Sequence, residues 1–91
     1  MVRRTRHAPG VVGHELAGEI LLLAPGQQSA LHLDEVATAA WRLLDGAPTH
    51  LELVEAMIAR YAVSAEQVSG DLAALLATLL QHGVAIELEG P

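Results

Sequence analysis

Hydrophobic and polar positions alternate with a period near two in the first third of the chain and shift to a helical period after it. Val11-Val12-Gly13-His14-Glu15-Leu16 reads as a weak first strand, and Glu19 to Leu23, apolar on both faces, as a central second strand. Ala17-Gly18 between them predicts a tight turn, although Asn-Gly is the stronger hairpin signal. Pro25-Gly26 supplies the fixed φ and the positive-φ residue that a type II turn takes. Ser29 to Leu33 then predicts a third strand, with Leu31 and Leu33 on one face and Ala30 and His32 on the other.

From Asp34 onward the period is helical. Asp34 is an N-cap for a helix whose apolar positions are Val36, Ala37, Ala40, Trp41 and Leu44, with Gly46 as its positive-φ stop. Thr49-His50-Leu51-Glu52 is a capping box opening a second helix, with Val54, Met57, Ile58 and Tyr61 as its buried stripe and Arg60 in its last turn. Ser64 to Gln67 is a second capping box, flanked by Val63 and Val68 as a hydrophobic staple. The third helix runs to about His82 and closes at Gly83; Gly70 inside it costs about 1 kcal/mol relative to Ala. Val84 to Leu88 leaves room for a short terminal strand.

Strands followed by helices give an α+β class: a three-stranded antiparallel sheet followed by a three-helix bundle. The two-residue gap Ala62-Val63 between the second and third helices makes the whole winged helix-turn-helix-like. The folded domain spans residues 11–88. Residues 1–10, with Arg3, Arg4 and Arg6, read as a flexible basic tail, and residues 89–91 as a C-terminal tail.

Composition narrows the functional classes. Ninety-one residues allow one modest core, and 52% hydrophobic content with one Trp, one Tyr and no Phe makes that core aliphatic. The chain has no cysteine, so there is no thiolate chemistry and no disulfide framework. The basic start leads into no apolar stretch of the kind a secretory signal needs, and the longest apolar run, Ile20 to Pro25, is too short to span a bilayer. A soluble, cytoplasmic protein is expected. The five histidines, at positions 7, 14, 32, 50 and 82, have no helical pairing that builds a metal site. No nucleophile elbow or phosphate loop is present. No catalytic residue, metal or cofactor is expected.

A helix-turn-helix raises the question of DNA. The net charge is −6, and the third helix, residues 65–82, carries no Lys or Arg but does carry Glu66 and Asp71. Phosphate contact and guanine readout both rest on those missing cations. A winged-helix DNA-binding regulator is therefore the second reading. The apolar residues of this helix, Val68, Leu72, Leu75, Leu76, Leu79 and Leu80, span about 140° at 100° per residue, wider than one core contact requires. The excess either packs on the sheet and the first helix at once or lines an apolar groove beside the third strand. In a meander that strand is an edge, and Ser29-Ala30-Leu31-His32-Leu33 carries no Lys, Pro or bulge to block it. An open edge beside an apolar flank suits addition of a peptide strand. The alternatives are an edge covered by residues 84–88 or by another subunit of a purely structural assembly.

The segments ILLLAPGQQSALHLDEVATAAWRLLDGAPT and LVEAMIARYAVSAEQVSGDLAALLATLLQHGVA resemble the PqqD-like proteins, the recognition elements for ribosomally made precursor peptides. The likeness covers about residues 11–88 and rests on Leu33-Asp34 (commonly Leu-Asn), Trp41, Leu44-Asp45-Gly46, Tyr61, Val68, Asp71-Leu72 and Gly83-Val84. It implies a non-catalytic chaperone that binds a precursor's leader as a strand added along Ser29, Ala30, Leu31, His32 and Leu33. The helix wall it implies comprises Asp71, Leu72, Leu75, Leu76 and Leu79. The implied partners are the leader peptide and a modifying enzyme, either a radical SAM protein or, in lasso peptide pathways, a leader peptidase. No nucleic acid or membrane partner is implied, and the chain is expected to be a monomer or weak homodimer.

Overall fold

In the computed structural model, which describes residues 2–90, the order is β1 (Val2–His7), β2 (Val12–Leu16), β3 (Glu19–Leu23), β4 (Leu31–Leu33), α1 (Glu35–Leu43), α2 (His50–Arg60), α3 (Ala65–Gln81) and β5 (Ala85–Gly90). The expected antiparallel sheet is present in the order β2-β3-β4. Its first hairpin turns on Ala17 and Gly18, both at positive φ (55° and 83°), the backbone that a type I′ loop requires. The third strand is shorter than expected: Ser29 and Ala30 lead into it without joining the ladder, and pairing runs only over Leu22↔Leu31, Leu21↔His32 and Ile20↔Leu33.

The helix starts follow their caps. The Asp34 carboxylate accepts from the Ala37 N–H at 2.8 Å, and the Thr49–Glu52 capping box closes in both directions. Ser64 caps α3 by accepting from the Gln67 N–H. The end of α1 differs from expectation. The helix tightens into a 3-10 turn over Leu44–Gly46, and the left-handed residue is Ala47 (φ 50°), one position past the expected Gly46.

The largest correction concerns the termini. Residues 2–7 are not a mobile tail but a strand, paired antiparallel with β5 from Val2↔Gly90 to His7↔Ala85. Residues 89 and 90 likewise belong to β5. An acidic partner strand makes this arginine-rich segment pairable: Arg3 meets its cross-strand partner Glu89 at 3.4 Å. Backbone bonds from Thr5 N–H to Pro48 O and from Ala8 N–H to Val84 O tie β1 to the body of the fold.

Leu22, Leu33, Ala40, Trp41, Leu44, Leu53, Met57, Leu72, Leu79 and Val84 form one continuous core between the three-stranded sheet and the helices. Trp41 lies within it, as the helical pattern predicts. Among the described residues, no helix is long and apolar enough to cross a membrane.

Candidate functional site

Among the described residues, no strand pairs with the outer edge of β4. Its one ladder is with β3, and the terminal segment that was a candidate to cover it pairs with β1 instead. The outward backbone groups of this short strand are thereby left free, with no charged residue or proline to block them.

A discontinuous trough of three clefts lies between the segment from Ser29 to Ala40 and α3; one cleft touches β4 at Leu31, and the other two lie among α1, α2 and α3. At one end, Ser29, Ala30 and Leu31 face His82 and Val84 across a gap. In the middle, Asp34, Ala37 and Ala40 face Asp71, Leu72 and Leu75. At the far end, Val36, Met57, Tyr61, Val63, Gln67, Val68, Asp71 and Leu72 enclose an apolar cavity of about 150 Å³. A cavity of that size accepts one benzene-sized group.

The face of α3 turned to the trough is set by helical spacing. Gln67, Asp71, Leu75 and His82 lie on one flank at about 100° per residue. Leu76 and Leu80 fall on the opposite flank, packed against the core. Leu79, with no exposure at all, sits between them in the core. Of the residues expected to form the site, Ser29, Ala30 and Leu31 line one cleft and Asp71, Leu72 and Leu75 line another. Leu76 and Leu79 line none of these clefts, and Leu79 is wholly buried. Leu33 is buried under β4, 3% exposed, and the His32 side chain turns to the outer sheet face, where Nε2 lies 2.5 Å from Glu19 Oε1.

Val36, Met57, Tyr61, Val63 and Gln67 are trough residues that the sequence pattern assigns elsewhere. Val36 and Val63 carried the available signal. Each is an apolar residue beside a helix cap, where a core-facing position is rarely complete, and each keeps about half its surface exposed, 51% and 43%.

The electrostatics of the trough are simple. Asp34 and Asp71 line its middle, and none of its lining residues is Lys or Arg. The supposed recognition helix offers phosphate two acidic side chains and no cation, which excludes it as a DNA reader. The described residues hold no cluster of His, Asp or Glu arranged to bind a metal ion.

Comparison with known proteins fits this geometry. The solved structure of TbiB1 in complex with the TbiA(beta) leader peptide superposes with a TM-score of 0.80 at 28% identity, covering 88% of this chain and 93% of that one. A lasso peptide synthetase B1 complexed with its leader peptide superposes at 0.79 over 91% of this chain and 98% of that one; at 19% identity it bears on the fold. No curated protein matches the chain. The model of the family described as Coenzyme PQQ synthesis protein D (PqqD) matches residues 19–85, a span running from β3 through all three helices to the start of β5. The chain belongs to the PqqD family.

Proposed function

We propose that this protein binds the leader segment of a ribosomally synthesised precursor peptide by adding it as a strand to β4, and presents the rest of the precursor to a processing enzyme. The observation that carries this reading is the unblocked β4 edge lying alongside an apolar trough walled by α3. Backbone pairing supplies affinity and the trough supplies side-chain selection. The leader peptides in the TbiB1 and lasso synthetase B1 complexes support the same assignment. The protein acts as a binding partner and leaves the chemistry to its enzyme, a leader peptidase in a lasso peptide pathway or a radical SAM protein in a pyrroloquinoline quinone-type pathway. A chain without cysteine suits work in the cytoplasm.

The test uses synthetic peptides covering the short reading frames that flank the gene, titrated calorimetrically. One of them binds, and Leu75→Asp, which charges the trough wall without touching the buried Leu72, weakens it at least tenfold. A full set of flanking peptides that fails to bind contradicts the proposal.

A further inference from the structure

A second open edge lies on the β1–β5 ribbon. β5 pairs with β1 along one side, and among the described residues no strand pairs with its other side. It is six residues long, against three for β4. Two contacts fix its backbone parity. The Ala8 N–H bonds to the Val84 carbonyl, which makes His7↔Ala85 a non-bonded pair and the next one, Arg6↔Ile86, a bonded pair. The Thr5 N–H bonds away from β5, to Pro48, as the same alternation requires. Ile86 and Leu88 thus spend their N–H and C=O groups on β1. Those of Glu87 and Glu89 point outward, and no backbone group of the described residues takes them.

The side chains along this edge are acidic. Glu87 and Glu89 are both exposed and share one face of the ribbon. On the β1 side they meet a basic strand, with Arg3 cross-strand from Glu89 and 3.4 Å away. Opposite Glu87 stands Thr5, so among the described residues the Glu87 carboxylate has no ion-pair partner.

Charge selects the occupant of the outer edge. A second copy of β5, paired about Glu87 or about Leu88, sets Glu87 against Glu87 or Glu89, and like charges directly opposite are destabilising. Pairing about Ile86 avoids this but needs the outward backbone of Ala85, which is buried. A strand with Lys or Arg opposite both glutamates instead repeats on this edge the contact that Arg3 makes on the other.

We infer that the outer edge of β5 is a docking site, separate from the β4 edge, for an extended segment of a partner protein that carries Lys or Arg at two positions two residues apart. The inference does not depend on what β4 binds. The two edges belong to different sheets, so a chain on one does not compete for the backbone groups of the other.

Two measurements test it. In the free ¹⁵N-labelled protein, the amides of Glu87 and Glu89 exchange with deuterium faster than those of Ile86 and Leu88; the reverse order overturns the parity. The second measurement titrates the intact labelled protein with a short synthetic peptide of alternating lysine and valine, and with a peptide of the same composition whose lysines are grouped at one end. The alternating peptide shifts the Glu87 and Glu89 amides saturably, and the grouped peptide does so much more weakly. Glu87→Gln, an exposed substitution, weakens the alternating peptide about threefold, the size of an exposed ion pair. An equal response to both peptides reduces the effect to net charge and overturns the inference, as does the absence of any saturable shift on β5. Shifts confined to β4 and α3 overturn it while leaving the peptide-binding proposal standing. A dimer in sedimentation whose Glu87 and Glu89 amides are protected assigns the edge to a second copy and overturns it too.

Discussion

The imidazole of His7 stacks on the indole of Trp41, ring centroids 3.7 Å apart and planes 16° from parallel, and its Nε2 lies 2.7 Å from the Trp41 carbonyl oxygen. The last residue of β1 thus sits on the central side chain of α1. An aromatic pair contributes about 0.5–1.5 kcal/mol and a net hydrogen bond a similar amount. His7→Ala should therefore lower unfolding stability by about 1–2 kcal/mol. Urea denaturation followed by the fluorescence of Trp41 reads this directly, and parental stability in the variant contradicts the stack's role.

Acid should weaken the α2 terminus. Glu52 accepts the Thr49 backbone N–H at 2.8 Å and also meets Arg4 at 3.1 Å. Hydrogen bonding to Thr49 first, and then the Arg4 charge, lower its pKa below the ordinary 4.5. A carboxyl that titrates lower when folded stabilises the fold above its unfolded pKa and loses that contribution as pH falls through the folded one. The stability difference between the parent and Glu52→Gln should be constant near neutrality and shrink below about pH 4.5. Thermal melts from pH 7 to pH 2 check this; a gap that stays constant throughout contradicts it.

The hairpin between β2 and β3 carries a correctable strain. Ala17 occupies the left-handed region at φ 55°, where an L side chain is disfavoured and Asn is better tolerated. Ala17→Asn creates the Asn-Gly pair that type I′ turns prefer and should stabilise the protein by about 0.5–1 kcal/mol. Because the residue is exposed and outside the trough, peptide affinity should not change.

The elements that local sequence specifies were readable from it. Glu19–Leu23 matches its expected bounds, and Asp34, Thr49 and Ser64 cap the helices they were expected to cap. β1 was not readable, because its pairing is wholly non-local. Of Val2 to His7 only Thr5 is buried, so no alternating apolar signal exists, and the partner strand begins at Ala85. The trough was half readable. The open edge follows from strand order and the missing block, but the working flank of α3 depends on which side the core takes. Leu75 and Leu76 look alike in sequence, and both pack against the core, but of the two Leu75 also lines the trough.

The central claim is that a peptide hydrogen-bonds to the outer edge of β4. Bonded pairs alternate along the ladders from Leu16↔Glu19, so His32, opposite Leu21, points its N–H outward, and His32→Pro tests the claim most directly. Proline deletes one N–H, and on an edge position facing solvent the fold tolerates it. His32→Ala is the reference, since it removes the contact with Glu19 and keeps the amide. Both variants should keep the parental circular dichroism spectrum. In calorimetric titration with the leader peptide, His32→Pro should bind about 0.5–1.5 kcal/mol more weakly than His32→Ala, the value of one net hydrogen bond. Equal affinity of two folded variants contradicts strand addition at this edge.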